Sequence, residues 1–206
     1  MLRVCARVPV EPLNVASPRA GVNLASSRGD LAMPIREILL LGDPKLYEVS
    51  VPMEKHELDT IVGLVQDLHD TLLDFRRRYG AGRAIAAPQI GVMKRLIYMH
   101  IDRPVAFINP VLDARSEAMI EVWDDCMCFP DLLVKVRRHR SCRIRFKDQG
   151  WIDQEIRVED DLSELLQHEY DHLDGTLAVS RALDGKSFAL RSQRLQSPVT
   201  EIRPPA

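Results

Sequence analysis

The chain has 206 residues, 46% of them hydrophobic and 28% charged, with a formal net charge of −2 at pH 7. That length suits one globular domain with a sizeable core plus some tail. Nothing in the charge balance suggests binding along nucleic acid, which needs a basic face, and no apolar run approaches the ~18–20 residues that span a membrane.

Residues 1–32 stand apart. They carry Pro9, Pro12 and Pro18, no lysine, and Arg3, Arg7, Arg19 and Arg28 against Glu11 and Asp30. No continuous apolar stretch marks a secretory signal, and Pro9 and Pro12 interrupt the amphipathic helix that an organellar leader needs. The expected organisation is a disordered or non-native extension over 1–32, a catalytic domain over 33–190 and a loose tail over 191–206. The expected location is cytoplasmic, or an organelle if residues 1–32 act as a transit peptide.

From Glu54 to Arg78, Leu58, Ile61, Val62, Val65, Leu68, Leu72 and Phe75 recur at helical spacing, and Gly80 and Gly82 stop the pattern. Strands are expected over Leu96–Ile101 and Val105–Ile108, separated by Asp102-Arg103-Pro104, and over Met119–Trp123. Residues 141–147 alternate, with Cys142, Ile144 and Phe146 on one face and Arg143, Arg145 and Lys147 on the other. Ile156 and Val158 continue the alternation after the Asp148-Gln149-Gly150 turn. A second helix covers about Asp161–Leu173 and stops at Asp174-Gly175. A helix, several strands and a helix in that order indicate an α+β fold, with antiparallel strands around a central helix.

That second helix carries His168-Glu169-Tyr170-Asp171-His172. Histidines four apart share one helix face, so both imidazoles can reach one metal ion. Glu169 is rotated about 100° from His168, within reach of a water at that metal. This is the HExxH arrangement of metal-assisted hydrolysis, with two imidazole ligands and a general base. Leu162, Leu165, Leu166 and Leu173 share the inward side. A catalytic site of this kind needs a third protein ligand. After His172 the chain offers Asp174 and Asp184 and no His or Glu before Glu201. A thiolate from Cys126 or Cys128 is the better donor. Cys142, in step with Ile144 and Phe146, reads as a small core residue. The spacings of the four cysteines do not read as a secreted disulfide framework.

Three segments, in order, resemble the signature motifs of peptide deformylases. Gly82-Arg83-Ala84-Ile85-Ala86-Ala87-Pro88-Gln89-Ile90-Gly91 is similar to GxGxAAPQxG. Asp124-Asp125-Cys126-Met127-Cys128-Phe129-Pro130 looks like a modified EGCLS segment. Gln167 to Gly175 matches QHExDHLxG at every fixed position. Leu41-Gly42-Asp43-Pro44-Lys45-Leu46 adds to the likeness, which spans about residues 33–185.

The resemblance implies a metal-dependent hydrolase that removes the formyl group from the N-terminal formyl-methionine of nascent polypeptides, with nascent chains at the ribosome as partner. It implies one divalent metal, Fe(II) with Zn, Ni or Co as substitutes, held by Cys126, His168 and His172. Glu169 is the implied acid–base group. The Gln89 amide and the Met127 backbone N–H are the implied oxyanion donors, and Gly82, Ala84 and Ile85 line the substrate, which binds as an added strand. The second motif departs from the pattern. Asp124 replaces glutamate and has Arg138 as its candidate partner. Asp125 replaces glycine and is expected to slow turnover through its charge. Ala84 replaces glycine, and Cys128 replaces serine. The alternative reading is a deformylase-like protein that binds metal or peptide with impaired or altered activity.

Overall fold

The computed structural model describes residues 35–194. The expected extension over 1–32 and the tail beyond residue 194 lie outside them.

The first long helix, α1 (Leu58–Tyr79), follows a 3-10 turn over Lys55–Glu57. The Glu54 backbone N–H donates to Glu57 Oε2 at 2.7 Å, which satisfies one of the donors that a helix start leaves open. At the other end Gly80 takes φ +66° and donates its N–H to Arg76 O, a left-handed stop that glycine adopts without strain. Ile61, Leu64, Val65, Leu68, Leu72 and Phe75 form the buried stripe. Val62 was expected among them and is exposed. It lies 100° past Ile61, off the stripe, and Leu64 takes the inward position.

The strands are β1 (Ala84–Ala86), β2 (Leu96–His100), β3 (Pro104–Asp113), β4 (Met119–Asp125), β5 (Leu132–His139), β6 (Ser141–Lys147), β7 (Asp153–Glu159) and β8 (Phe188–Leu190). They form an antiparallel five-stranded sheet ordered β1-β2-β3-β6-β7 and a three-stranded sheet ordered β4-β5-β8. The second helix, α2 (Asp160–Leu173), packs against strands of both sheets. The α+β architecture with strands around the HExxH helix is therefore present.

The five-stranded sheet is covered on both faces. Ile85, Leu96, Tyr98, Ala106 and Ile108 pack with the α1 stripe. Their neighbours Ala84, Ala86, Ile97, Met99 and Phe107 pack with Leu165, Leu166 and Leu173 of α2. Two covered faces explain why β1 and β2 show continuous apolar runs rather than alternation. β3 runs five residues past its expected end at Ile108, through a register shift between Ile108 and Val111. Asn109 sits in that shift at φ 49°. Its side chain accepts from Met53 N and donates to Met53 O, each at 2.8 Å.

Gly175 closes α2 at φ +65°, and a Cβ there would lie 2.5 Å from the Tyr47 carbonyl oxygen. The chain preceding α1 is thus laid directly against the end of the HExxH helix. Gly175→Ala is expected to lose on the order of 2–4 kcal/mol, because backbone must move to relieve the contact. Gly63→Ala, inside α1 with nothing within 4 Å of the new Cβ, is expected to gain about 0.5–1 kcal/mol. Urea midpoints of the two variants should move in opposite directions.

Candidate active site and metal centre

β4 delivers the second motif to the side of α2. The chain leaves β4 at Asp125 and turns, with Phe129 N–H donating to Cys126 O at 3.1 Å. Cys126 is 5% exposed, His168 5% and His172 1%. The His172 Nε2 lies 3.3 Å from Cys126 Sγ and 3.2 Å from His168 Nε2. All three donor atoms fall within 4.8 Å of one another.

These residues fit a divalent cation. Bond lengths typical of zinc with tetrahedral angles place two ligand nitrogens about 3.3 Å apart and a nitrogen and a thiolate about 3.6 Å apart, close to the separations here. The charge argument agrees. Burial pushes the Cys126 thiol well above its ordinary range, and neighbouring Cys128 adds to the effect. Burial, and then His168, hold His172 well below its ordinary value. A thiolate and a neutral imidazole at such depth suit a bound cation, which supplies the compensating charge.

The second ring nitrogen of His168 is braced. His168 Nδ1 lies 2.8 Å from Asp124 Oδ1, an arrangement that orients a ligand ring and raises its basicity. Burial opposes charge on His168, and Asp124 outweighs it, lifting the pKa to about 10. Asp124 Oδ2 in turn accepts from Arg138 Nη2 at 2.7 Å, with both side chains at most 3% exposed. Arg138 is thus the partner expected for Asp124, and it also donates to Asp171. Burial opposes the charge on Asp124, yet His168 and Arg138 hold it well below the usual carboxylate range.

Glu169 is 3% exposed and its Oε2 has no hydrogen-bond partner among the described residues. Burial pushes its carboxyl up to about 7, suited to proton transfer near neutral pH. Gln89 is 1% exposed. Its Oε1 accepts from Ala86 N–H at 2.7 Å, leaving Nε2 facing the Cys126 and Cys128 sulfurs, 3.7 Å from each.

A cavity of about 50 Å³ opens beside these groups, and Gly82, Ala84, Gln89, Cys126, Met127, His168 and Glu169 all line it. Gly82 takes φ +115°, and a Cβ on it would press on Leu72 and Phe75, so glycine is required there. Ala84 sits in extended β1 and does not need the freedom of glycine. Ile85 is not among the lining residues. On a pleated strand its side chain points opposite to Ala84, into the core shared with α1.

Asp125 does not face the site as a bare charge. Its Oδ2 accepts from Arg191 Nη2 at 2.7 Å, and both side chains are partly exposed. A paired, solvated carboxylate has little field left to exert on the site, so Arg191 offsets the charge of Asp125, while both residues still line the cavity. Arg191 was placed in the tail. It opens a helical turn over Arg191–Arg194, and it also donates to the carbonyl oxygens of Asp131 and Pro130.

Glu164 and Arg83 also line the cavity, and sequence reasoning did not single them out. Arg83 donates to Asp161 at 2.6 Å and to Glu164 at 3.2 Å, and burial pushes Glu164 up. The signal for Glu164 was its place one turn before His168, on the same helix face.

A buried Cys/His/His cluster, with the cysteine just after β4 and the two histidines and an adjacent glutamate on a helix clasped by antiparallel strands, is the arrangement of a metal-dependent hydrolase. The polypeptide deformylase family model matches residues 35–187. A peptide deformylase from Hyphomonas neptunium is 37% identical over 153 residues, covering 71% of this chain and 84% of that protein. One from Pseudothermotoga lettingae is 31% identical over 163 residues, covering 79% and 91%. The crystal structure of a Synechococcus elongatus peptide deformylase in complex with actinonin superimposes with a TM-score of 0.69 at 25% identity, covering 81% and 89%. The chain belongs to the peptide deformylase family. Its activity is removal of the formyl group from formyl-methionine at the N-terminus of new polypeptides.

Proposed function

We propose that Cys126, His168 and His172 hold one divalent metal, Fe(II) in the cell, and that Glu169, Gln89 and Met127 carry the deformylation. The observation behind this is the convergence of three buried donor atoms beside an unpartnered Glu169 oxygen. A cation there supplies Lewis-acid activation of water and of the formyl carbonyl. Glu169 accepts the proton of the attacking water and passes it to the nitrogen of the departing amine. The amide Nε2 of Gln89 and the backbone N–H of Met127 donate to the formyl oxygen as it gains negative charge; one such donor is typically worth about 3 kcal/mol of barrier. Among the described residues β1 has a neighbour on one side only, so a peptide can add along Gly82, Ala84 and Ile85 by backbone hydrogen bonds. Ile85 would take part through its backbone.

Residues 33–190, with Arg191 added, are proposed as the catalytic unit. It is proposed to act in the cytoplasm on nascent chains at the ribosome.

The ligand assignment separates two cysteines. Cys128 is buried beside Cys126 and donates its backbone N–H to Cys126 Sγ at 3.4 Å. Elemental analysis of anaerobically purified protein should find one metal per chain in wild type and in Cys128→Ala. Cys126→Ala should lose most of it. Metal retained by Cys126→Ala and lost by Cys128→Ala would reverse the assignment.

A further inference from the structure

A second cavity, of about 250 Å³, lies on another face of α2. Gln167, Tyr170 and Asp171 face it, whereas Glu164, His168 and Glu169 face the first cavity. Four arginines line it: Arg115 before β4, Arg137 and Arg138 on β5, and Arg181 at the end of a 3-10 turn over Ala178–Arg181. Asp171 is the one carboxylate among its lining residues, and it is shared between Arg138 and Arg181. The other nearby acids pull from outside. Glu121 holds Arg137 at 2.9 Å and is shared with Lys135, and Asp124 holds Arg138 from the metal side. Arg115 has no carboxylate partner among the described residues. Arg138, 3% exposed, keeps a buried Nε–H without an acceptor.

Guanidinium groups from three separate elements thus surround a space whose lining carries a single carboxylate, Asp171, with the partners of Arg137 and the second partner of Arg138 lying outside it. A planar carboxylate satisfies one fork at a time. A tetrahedral oxyanion offers acceptors in several directions at once, and arginine is the side chain best matched to phosphate. The volume is several times the ~30 Å³ share of one water, which leaves room beyond a phosphate group for a substituent. We propose that this cavity is a binding site for a phosphate group, carried by a small phosphomonoester or free in solution.

The test is titration calorimetry of the zinc-loaded full chain with inorganic phosphate and with ribose 5-phosphate at fixed ionic strength. Saturable one-site binding of either is expected. Tighter binding of the ester would make the ligand a phosphomonoester, and equal binding would make it free phosphate. Arg115 and Arg137 are both exposed, and a neutral residue at 137 avoids a second carboxylate opposite Glu121, so Arg115→Glu and Arg137→Gln are expected to fold with a little-changed urea midpoint. Each should weaken binding at least about tenfold, the loss of a charge-assisted contact. Arg138 is left intact because it also braces Asp124. No saturable binding of either probe would overturn the proposal. So would an affinity unchanged in both variants, which would place the ligand at the metal instead.

Discussion

Glu169→Gln should retain metal and fold and lose nearly all deformylation, with a drop of roughly 10²–10⁴ in kcat from removal of the acid–base group. The amide is nearly isosteric with the carboxylate, so the buried wall of the cavity keeps its shape, but it cannot accept the proton of the attacking water. The substitution should also stabilise the metal-free chain. Burial raises the folded pKa of Glu169 to about 7, above its unfolded value. The wild type therefore loses stability as pH rises from the ordinary carboxylate range towards 7, and glutamine does not titrate. The stabilising effect of the variant should grow across that window and level off above it. Near-normal turnover in a metal-replete Glu169→Gln protein would remove Glu169 from the mechanism.

Arg138→Met should destabilise the protein by about 3–5 kcal/mol, the usual consequence of leaving buried carboxylates without their cation. Arg138 and Asp124 are both within 3% of full burial, and Arg138 also reaches Asp171. Asp171 keeps Arg181, at 2.6 Å, so Asp124 suffers most. In the wild type the folded pKa of Asp124 is depressed. Its contribution to stability is therefore present above the unfolded carboxylate value, about 4, and fades as pH falls below it. In Arg138→Met burial acts without that cation, so the deficit should be largest near neutral pH and shrink on acidification. Because Asp124 also steadies His168, metal affinity should fall by about 10–100-fold. Denaturation curves at several pH values, with metal retention against a chelator, read both effects. A variant as stable as wild type at pH 7 would show that the buried network has no structural role.

The elements most legible in the sequence were those with one covered face. β6 matches its expected bounds at 141–147 because outward Arg143, Arg145 and Lys147 contrast with inward Cys142, Ile144 and Phe146. β5 was missed. Val134 and Val136 alternate inward, but the next inward position is Arg138, which reads as one more charge in a basic run. Its burial makes sense only with Asp124 and Asp171 in place, and no local pattern announces partners 14 and 33 residues away. β8, three residues long, exists through its pairing with β5. The end of β3 was hidden by Asn109 and Pro110, whose turn-like chemistry turned out to accompany a register shift.

At the site, His168, Glu169 and His172 were legible because helical periodicity alone puts them together. Cys126 could not be separated from Cys128 by local pattern, and the resemblance supplied the assignment that the geometry now supports as a proposal. The pairing of Asp125 was not legible because its partner, Arg191, lies 66 residues later, in a segment with no sequence pattern of its own.

The most direct test is formate release from a formyl-Met peptide by the iron-loaded chain kept anaerobic, with internal cleavage of the same peptide measured in parallel. The account predicts one formate for each free methionine N-terminus produced, and no internal cut. A metal-replete protein that releases no formate above the blank, or that cuts the peptide internally, would contradict it.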